Sequence, residues 1–139
     1  MLIFILGAII GFMVFFPVII APIIFKTLRE EQAGVFLRLF FPRYYLFGLI
    51  LSTIGLIKSM IDQELINIIF FLILVITFIF SRQVMTPAIN RAKDLIVNND
   101  KKSKAKFEKL HSFSVAINFF QLIMCILLLL NLLFFKYSF

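Results

Sequence analysis

The residues with chemistry to offer are few, and they cluster toward the C-terminus. His111, Ser114, Asn118, Gln121 and Cys125 follow one another at steps of three and four residues. On an α-helix turning 100° per residue they fall within an arc of about 80° and extend for roughly 21 Å. Such a stripe donates and accepts hydrogen bonds along one line, and its histidine is able to bind a metal or carry a proton. Asn67, Thr77 and Ser81 form an arc of similar width earlier in the chain, and Asn90, Arg91 and Asp94 follow Ser81. Arg91 and Asp94 stand three residues apart, the spacing of a helical ion pair.

The elements that hold these groups are built for lipid. The chain has 139 residues, of which 63% are hydrophobic and 15% charged, with a mean hydropathy of +1.10. Soluble domains carry about 45–50% apolar and about 25% charged residues. A water-soluble globule is excluded, and so is a disulfide scaffold, because there is one cysteine. No charge occurs from Met1 to Phe25, a run longer than a hydrocarbon core of roughly 30 Å requires. Further apolar runs lie between Arg43 and Asp62, broken only by a boundary Lys58, between Glu64 and Arg82, and from about Phe113 to Phe135. The pattern predicts an all-α polytopic membrane protein, a bundle of four transmembrane helices forming one domain over residues 1–139. The first helix has no basic residue ahead of it, unlike a cleaved signal peptide, and is expected to stay.

Charge sets the expected orientation. Lys26, Arg29, Arg38 and Arg43 fall in loop one; Arg82, Arg91, Lys93, Lys101, Lys102, Lys104, Lys106 and Lys109 fall in loop three. These are twelve of the fourteen basic residues, with Lys58 and Lys136 on the other side. The positive-inside rule predicts an inner-membrane protein with loops one and three in the cytoplasm and both termini outside. The net charge of +7 is then topogenic, in contact with anionic headgroups, and no nucleic-acid partner is implied. Tyr44, Tyr45 and Tyr137 fall where interfacial aromatics sit.

Loop one reads as an amphipathic helix along the inner interface: Thr27 and Glu30 have the spacing of a capping box, and Phe25, Leu28, Phe36 and Phe40 recur near helical spacing. Pro42 suits the first turn of helix two. Loop three predicts a helical hairpin extending helices three and four, with its polar turn at Val97–Asp100 and a bend near Pro87. Pro17 and Pro22 are expected to bend helix one and free carbonyls there. Gly7-x-x-x-Gly11 and the series Gly48, Ser52, Gly55, Ser59 form smooth ridges, suited to packing inside the bundle, to a homodimer or to a partner subunit.

Asn and Gln are costly against lipid, so the stripe must meet helices or water. Two readings follow. Either these groups only bond across the bundle, or they line a polar cleft open to the cytoplasm, with His111, Ser114, Asn118 and Gln121 inside and Asn90, Arg91 and Asp94 at its rim. His111 is the candidate metal ligand; Cys125, about 21 Å further along the helix, cannot share its metal. No zinc motif, phosphate loop, nucleophile elbow or intramembrane carboxylate pair is present, and no acid, base and nucleophile constellation argues for an enzyme.

Ala33-Gly34, Leu39-Phe40-Phe41-Pro42-Arg43-Tyr44-Tyr45, Thr86-Pro87-Ala88-Ile89-Asn90 and Phe107-x-x-Leu110-His111-x-x-Ser114-x-x-x-Asn118 together resemble the transmembrane-protein-205-like family, which carries domain of unknown function 4149. The resemblance implies an integral membrane protein without an assigned reaction, whose eukaryotic relatives are associated with platinum-drug resistance and vesicle traffic. It also implies a distant likeness to four-helix copper-resistance and haem-associated membrane proteins. The haem-associated relatives use a histidine in helix one. This chain has none before His111, so haem would need His111 from both subunits of a symmetric dimer. The expected function is a small-ligand or metal transport or resistance component. A haem- or copper-associated redox protein and a structural subunit are the alternatives, and no cofactor is expected on the first reading.

Overall fold

A computed structural model describes residues 1–96 and 100–134. They form four helices, each long and apolar enough to cross a membrane: α1 (Leu2–Thr27), α2 (Glu30–Ile61), α3 (Leu65–Asp94) and α4 (Lys101–Phe134). No strand occurs among the described residues. The centre of the loop-three turn, at positions 97–99, and Tyr137 lie outside the described residues. At about 1.5 Å per residue, the 32 residues of α2 and 34 of α4 exceed the thickness of a hydrocarbon core. Their polar ends therefore project beyond it, and the end of α3 packs beside the start of α4 as the expected hairpin.

Local chemistry explains the boundaries. Asp100 starts α4, its carboxylate accepting from the backbone amides of Lys102 and Ser103 and from the Ser103 hydroxyl. The turn from α2 to α3 closes with Glu64 N–H donating to Ser59 O and Gln63 N–H to Met60 O, which requires Gln63 at φ 56°.

The start of α2 differs from expectation. Thr27 makes no capping box; its hydroxyl donates back to Ile23 O, and Gln32 Oε1 accepts the Arg29 amide instead. The amphipathic segment is not a separate helix but the first third of α2, and Pro42 lies inside that helix. The carbonyl one turn before a proline loses its amide partner. Next to it, the Arg43 guanidinium donates to Leu39 O at 2.7 Å, and the Arg82 Nε donates to Pro42 O at 3.3 Å. Both bonds lie beside the interruption and add a second donor to carbonyls of the same stretch; the Arg82 bond also ties α3 to α2.

The other prolines are absorbed by π-turns. In α1 the turn covers Phe16–Ile20, with Ala21 N–H donating to Phe16 O; in α3 it covers Ser81–Met85, with Thr86 N–H donating to Ser81 O. Each bond reaches one residue further back than in an α-helix, so Pro22 and Pro87 begin a fresh α-helical register.

The core joins all four helices: Leu6, Ile9 and Met13 of α1, Tyr45 of α2, Phe71, Leu74 and Phe78 of α3, and Cys125 and Leu128 of α4. The α2 ridge packs inside it, as its spacing predicts. Phe78 lies directly over Gly48, and Phe71 over Gly55, so close that neither position has room for a Cβ. The α1 ridge does not. Gly7 and Gly11 are exposed with nothing within 4 Å of a Cβ position, so they face outward. Large apolar side chains such as Phe4, Phe47, Leu72 and Phe119 are exposed along all four helices, the surface of a protein in contact with a bilayer.

Candidate functional site

The polar face of α4 turns inward as its spacing requires, but its members have separate neighbours. Ser114, Gln121 and Cys125 are buried, Asn118 is half-buried and His111 is exposed. Gln121 points to α3, where its Nε2 donates to Thr77 Oγ1 at 3.0 Å; its Oε1 has no protein partner. Thr77 in turn donates to Ile73 O and Leu74 O within its own helix. Gln121 is thus an interhelical link and lies outside the cavity described next.

A cavity of about 430 Å³ occupies the basic end of the bundle. From α1 it is lined by Met13, Phe16, Pro17, Ala21 and Phe25; from α2 by Leu37, Phe41, Tyr44 and Tyr45; from α3 by Thr86, Ile89 and Asn90. From α4 come His111, Ser114, Val115, Asn118, Phe119 and Leu122. Most of this wall is apolar. Its polar part is a knot in which Asn118 Nδ2 donates to Tyr45 Oη at 2.8 Å and to Ser114 O at 3.2 Å, while Tyr45 Oη and Ser114 Oγ share a hydrogen at 3.3 Å. Asn118 Oδ1 is buried and has no partner. A buried acceptor left unmatched costs about 1–3 kcal/mol, which a donor brought by a ligand or water would relieve.

Tyr45 is the residue that sequence reasoning misplaced. It is not an interfacial anchor: it is 2% exposed and holds the knot together. Its neighbour Tyr44 is also buried, against Phe12, whose ring lies edge-on at 4.9 Å. The signal was present, since Tyr45, Gly48, Ser52, Gly55 and Ser59 continue one face of α2 at steps of three and four.

The rim is arranged differently from expectation. Asp94 does not pair with Arg91. It is held by Arg38 of α2 through both guanidinium nitrogens, and Arg38 also reaches Asn90 O at 3.5 Å. Fifty-six positions separate Arg38 from Asp94, so local helical spacing carried no sign of the pair. These groups lie beyond the apolar stretches, and the hydrogen bonds from Arg38 hold the Asp94 carboxyl below the usual carboxylate range. Arg91 is exposed, and neither Arg91 nor Asp94 lines the cavity. His111 stacks on Phe107 at 6.0 Å, and Lys93 Nζ lies 5.9 Å from the same ring, tying α3 to α4. Among the described residues no group of three His, Cys, Asp or Glu side chains is placed to hold a metal. His111 therefore has no set of co-ligands of those types among them.

The family model described as "Domain of unknown function (DUF4149)" matches residues 4–98, nearly all of α1 through α3. The chain belongs to that family. No curated protein and no solved structure matches it.

Proposed function

We propose that this DUF4149 protein binds a small ligand in the cavity at the basic end of its bundle, as a component of transport or resistance in the inner membrane. One observation carries the reading: a mainly apolar space of about 430 Å³ with a hydrogen-bonding knot whose Asn118 oxygen is unmatched. Its size falls in the range of small-molecule sites, and apolar walls with a few convergent polar groups are their usual composition. Tyr45, Ser114 and Asn118 orient the ligand, and Asn90 and His111 stand at its rim. Gln121 acts in packing.

The same proposal places the basic end in the cytoplasm and both termini outside, because twelve of fourteen basic residues flank loops one and three. A membrane-impermeant thiol reagent tests this on Lys104→Cys in a Cys125→Ser background. Labelling only after cell lysis is expected, and labelling in intact cells would invert the orientation.

Ligand binding is tested by thermal unfolding of the detergent-purified protein against a panel of small amphiphiles that includes phenol and 1-dodecanol. A ligand at a hundred times its Kd stabilises by about 2.7 kcal/mol, and Ser114→Phe, which fills the floor of the cavity, should abolish the effect. If every compound shifts wild type and Ser114→Phe alike, the cavity is not a ligand site.

A further inference from the structure

We infer that the ligand of this cavity is a membrane-dissolved amphiphile that reaches it sideways between α1 and α4 and offers one neutral hydrogen-bond donor to Asn118. The inference rests on the cavity being a ligand site and adds the ligand's class and its route.

The route follows from how α1 sits. Its first half shares the core with Cys125, Leu128 and Leu132 of α4. Beyond the π-turn, Ala21–Thr27 lies beside α2 and no longer beside α4. The π-turn just before it is fixed to α2 by aromatic contacts: Phe16 stacks on Phe40 at 4.9 Å and meets Phe41 edge-on at 5.1 Å. The two neighbouring seams at this end are tied, α2 to α3 by Arg38 with Asp94 and by Arg82 with Pro42 O, and α3 to α4 by Lys93 over Phe107. Among the described residues no side-chain hydrogen bond, ion pair or ring contact joins Ala21–Thr27 to α4. The cavity residues on the two sides of this seam are large, apolar and exposed: Phe25 is 69%, Val115 53% and Phe119 63% accessible. In a bilayer those side chains face acyl chains.

The chemistry of the ligand follows from the floor. A charged solute would find no carboxylate, lysine or arginine in the lining, and at the floor Tyr45, Ser114 and Asn118 are already bonded to one another apart from Asn118 Oδ1, with Asn90 and His111 left at the rim. Asn118 Oδ1 accepts. The matching molecule therefore has an extended apolar body, remaining partly in the seam, and a terminal neutral hydroxyl or N–H.

The test uses the full chain in phosphatidylcholine nanodiscs, with empty discs as background, and three radiolabelled probes: 1-dodecanol, dodecyl methyl ether and phenol. Dodecanol should bind saturably, about 3- to 10-fold more tightly than the ether, which lacks the donor. Asn118→Leu should remove that preference. Val115→Trp should obstruct the seam and reduce dodecanol binding at least tenfold, with Phe25→Trp as a second variant should the first fail to fold. Phenol bound in preference to dodecanol, or dodecanol binding unchanged in both folded seam variants, would overturn lateral access while leaving the cavity a ligand site. Saturable binding of none of the probes would overturn this inference, and the wider proposal then stands or falls on the thermal-unfolding panel.

Discussion

Replacing Gly55 by alanine adds one methyl group at the tightest contact between α2 and α3. The new Cβ would sit 2.5 Å from Phe71 Cδ1 and 2.6 Å from Cζ. Favourable carbon contacts begin near 3.5 Å, so the ring must retreat by about 1 Å. Phe71 is fully buried against the core and has no free space to use. Overpacking of this kind costs about 1–3 kcal/mol, offset by up to about 1 kcal/mol from the better helix propensity of alanine. A net loss of roughly 1–2 kcal/mol is expected. Reversible unfolding in mixed micelles measures it for Gly55→Ala, Phe71→Leu and the double variant. Because the leucine gives the methyl room, the double variant should be more stable than the sum of the single effects by about 0.5–3 kcal/mol. Gly7→Ala and Gly11→Ala serve as controls, neutral or slightly stabilising, since nothing lies within 4 Å of either position. Strict additivity at Gly55 and Phe71, together with damage from Gly7→Ala, would refute the packing argument.

Other expectations follow from single contacts. Gln63→Gly relieves a left-handed backbone position at φ 56° and should stabilise by about 0.5–1 kcal/mol in the same assay; a loss would mean the turn differs. Gln121→Leu removes one hydrogen bond but also a buried oxygen without a partner, so its cost should stay below about 1 kcal/mol; a severe loss would show the Thr77 link to be indispensable. The Asp94 carboxyl titrates below its ordinary value because Arg38 bonds its charged form. The clasp is therefore fully formed above about pH 4 and lost as pH falls through the folded value. Protection of the amides near Asp94, taken relative to their intrinsic exchange rates at each pH, should fall only in acid, and a loss of protection between pH 6 and 9 instead would contradict the pairing.

The fold was largely legible because lipid imposes a coarse code: uncharged runs of sufficient length become spanning helices, and polar groups within them turn inward. The Gly48–Ser59 ridge and the inward face of α4 were readable for that reason. What escaped depended on neighbours from other helices. Tyr45 sits at the depth of an interfacial aromatic, and depth alone does not tell which way a side chain turns; only its register with Gly48 and Gly55 does. Gly7 and Gly11 have the spacing of a contact ridge, yet they face outward because Leu6, Ile9 and Met13 supply the buried face of α1. Pro42 lies within α2, where its carbonyl accepts from Arg82 of α3, a contact that no local rule would assign. Asp94 found its partner across 56 positions, while helical periodicity points only to Arg91.

The most direct test of the cavity as a ligand site is the chemical shift of the Tyr45 phenol carbon, in protein labelled at tyrosine Cζ and assigned with Tyr45→Phe. Titration with 1-dodecanol should move this resonance saturably, because a donor reaching Asn118 Oδ1 alters the hydrogen bond that Asn118 makes to Tyr45 Oη, and the response should vanish in Asn118→Leu. A resonance that stays fixed in wild type, or moves equally in Asn118→Leu, would contradict the account.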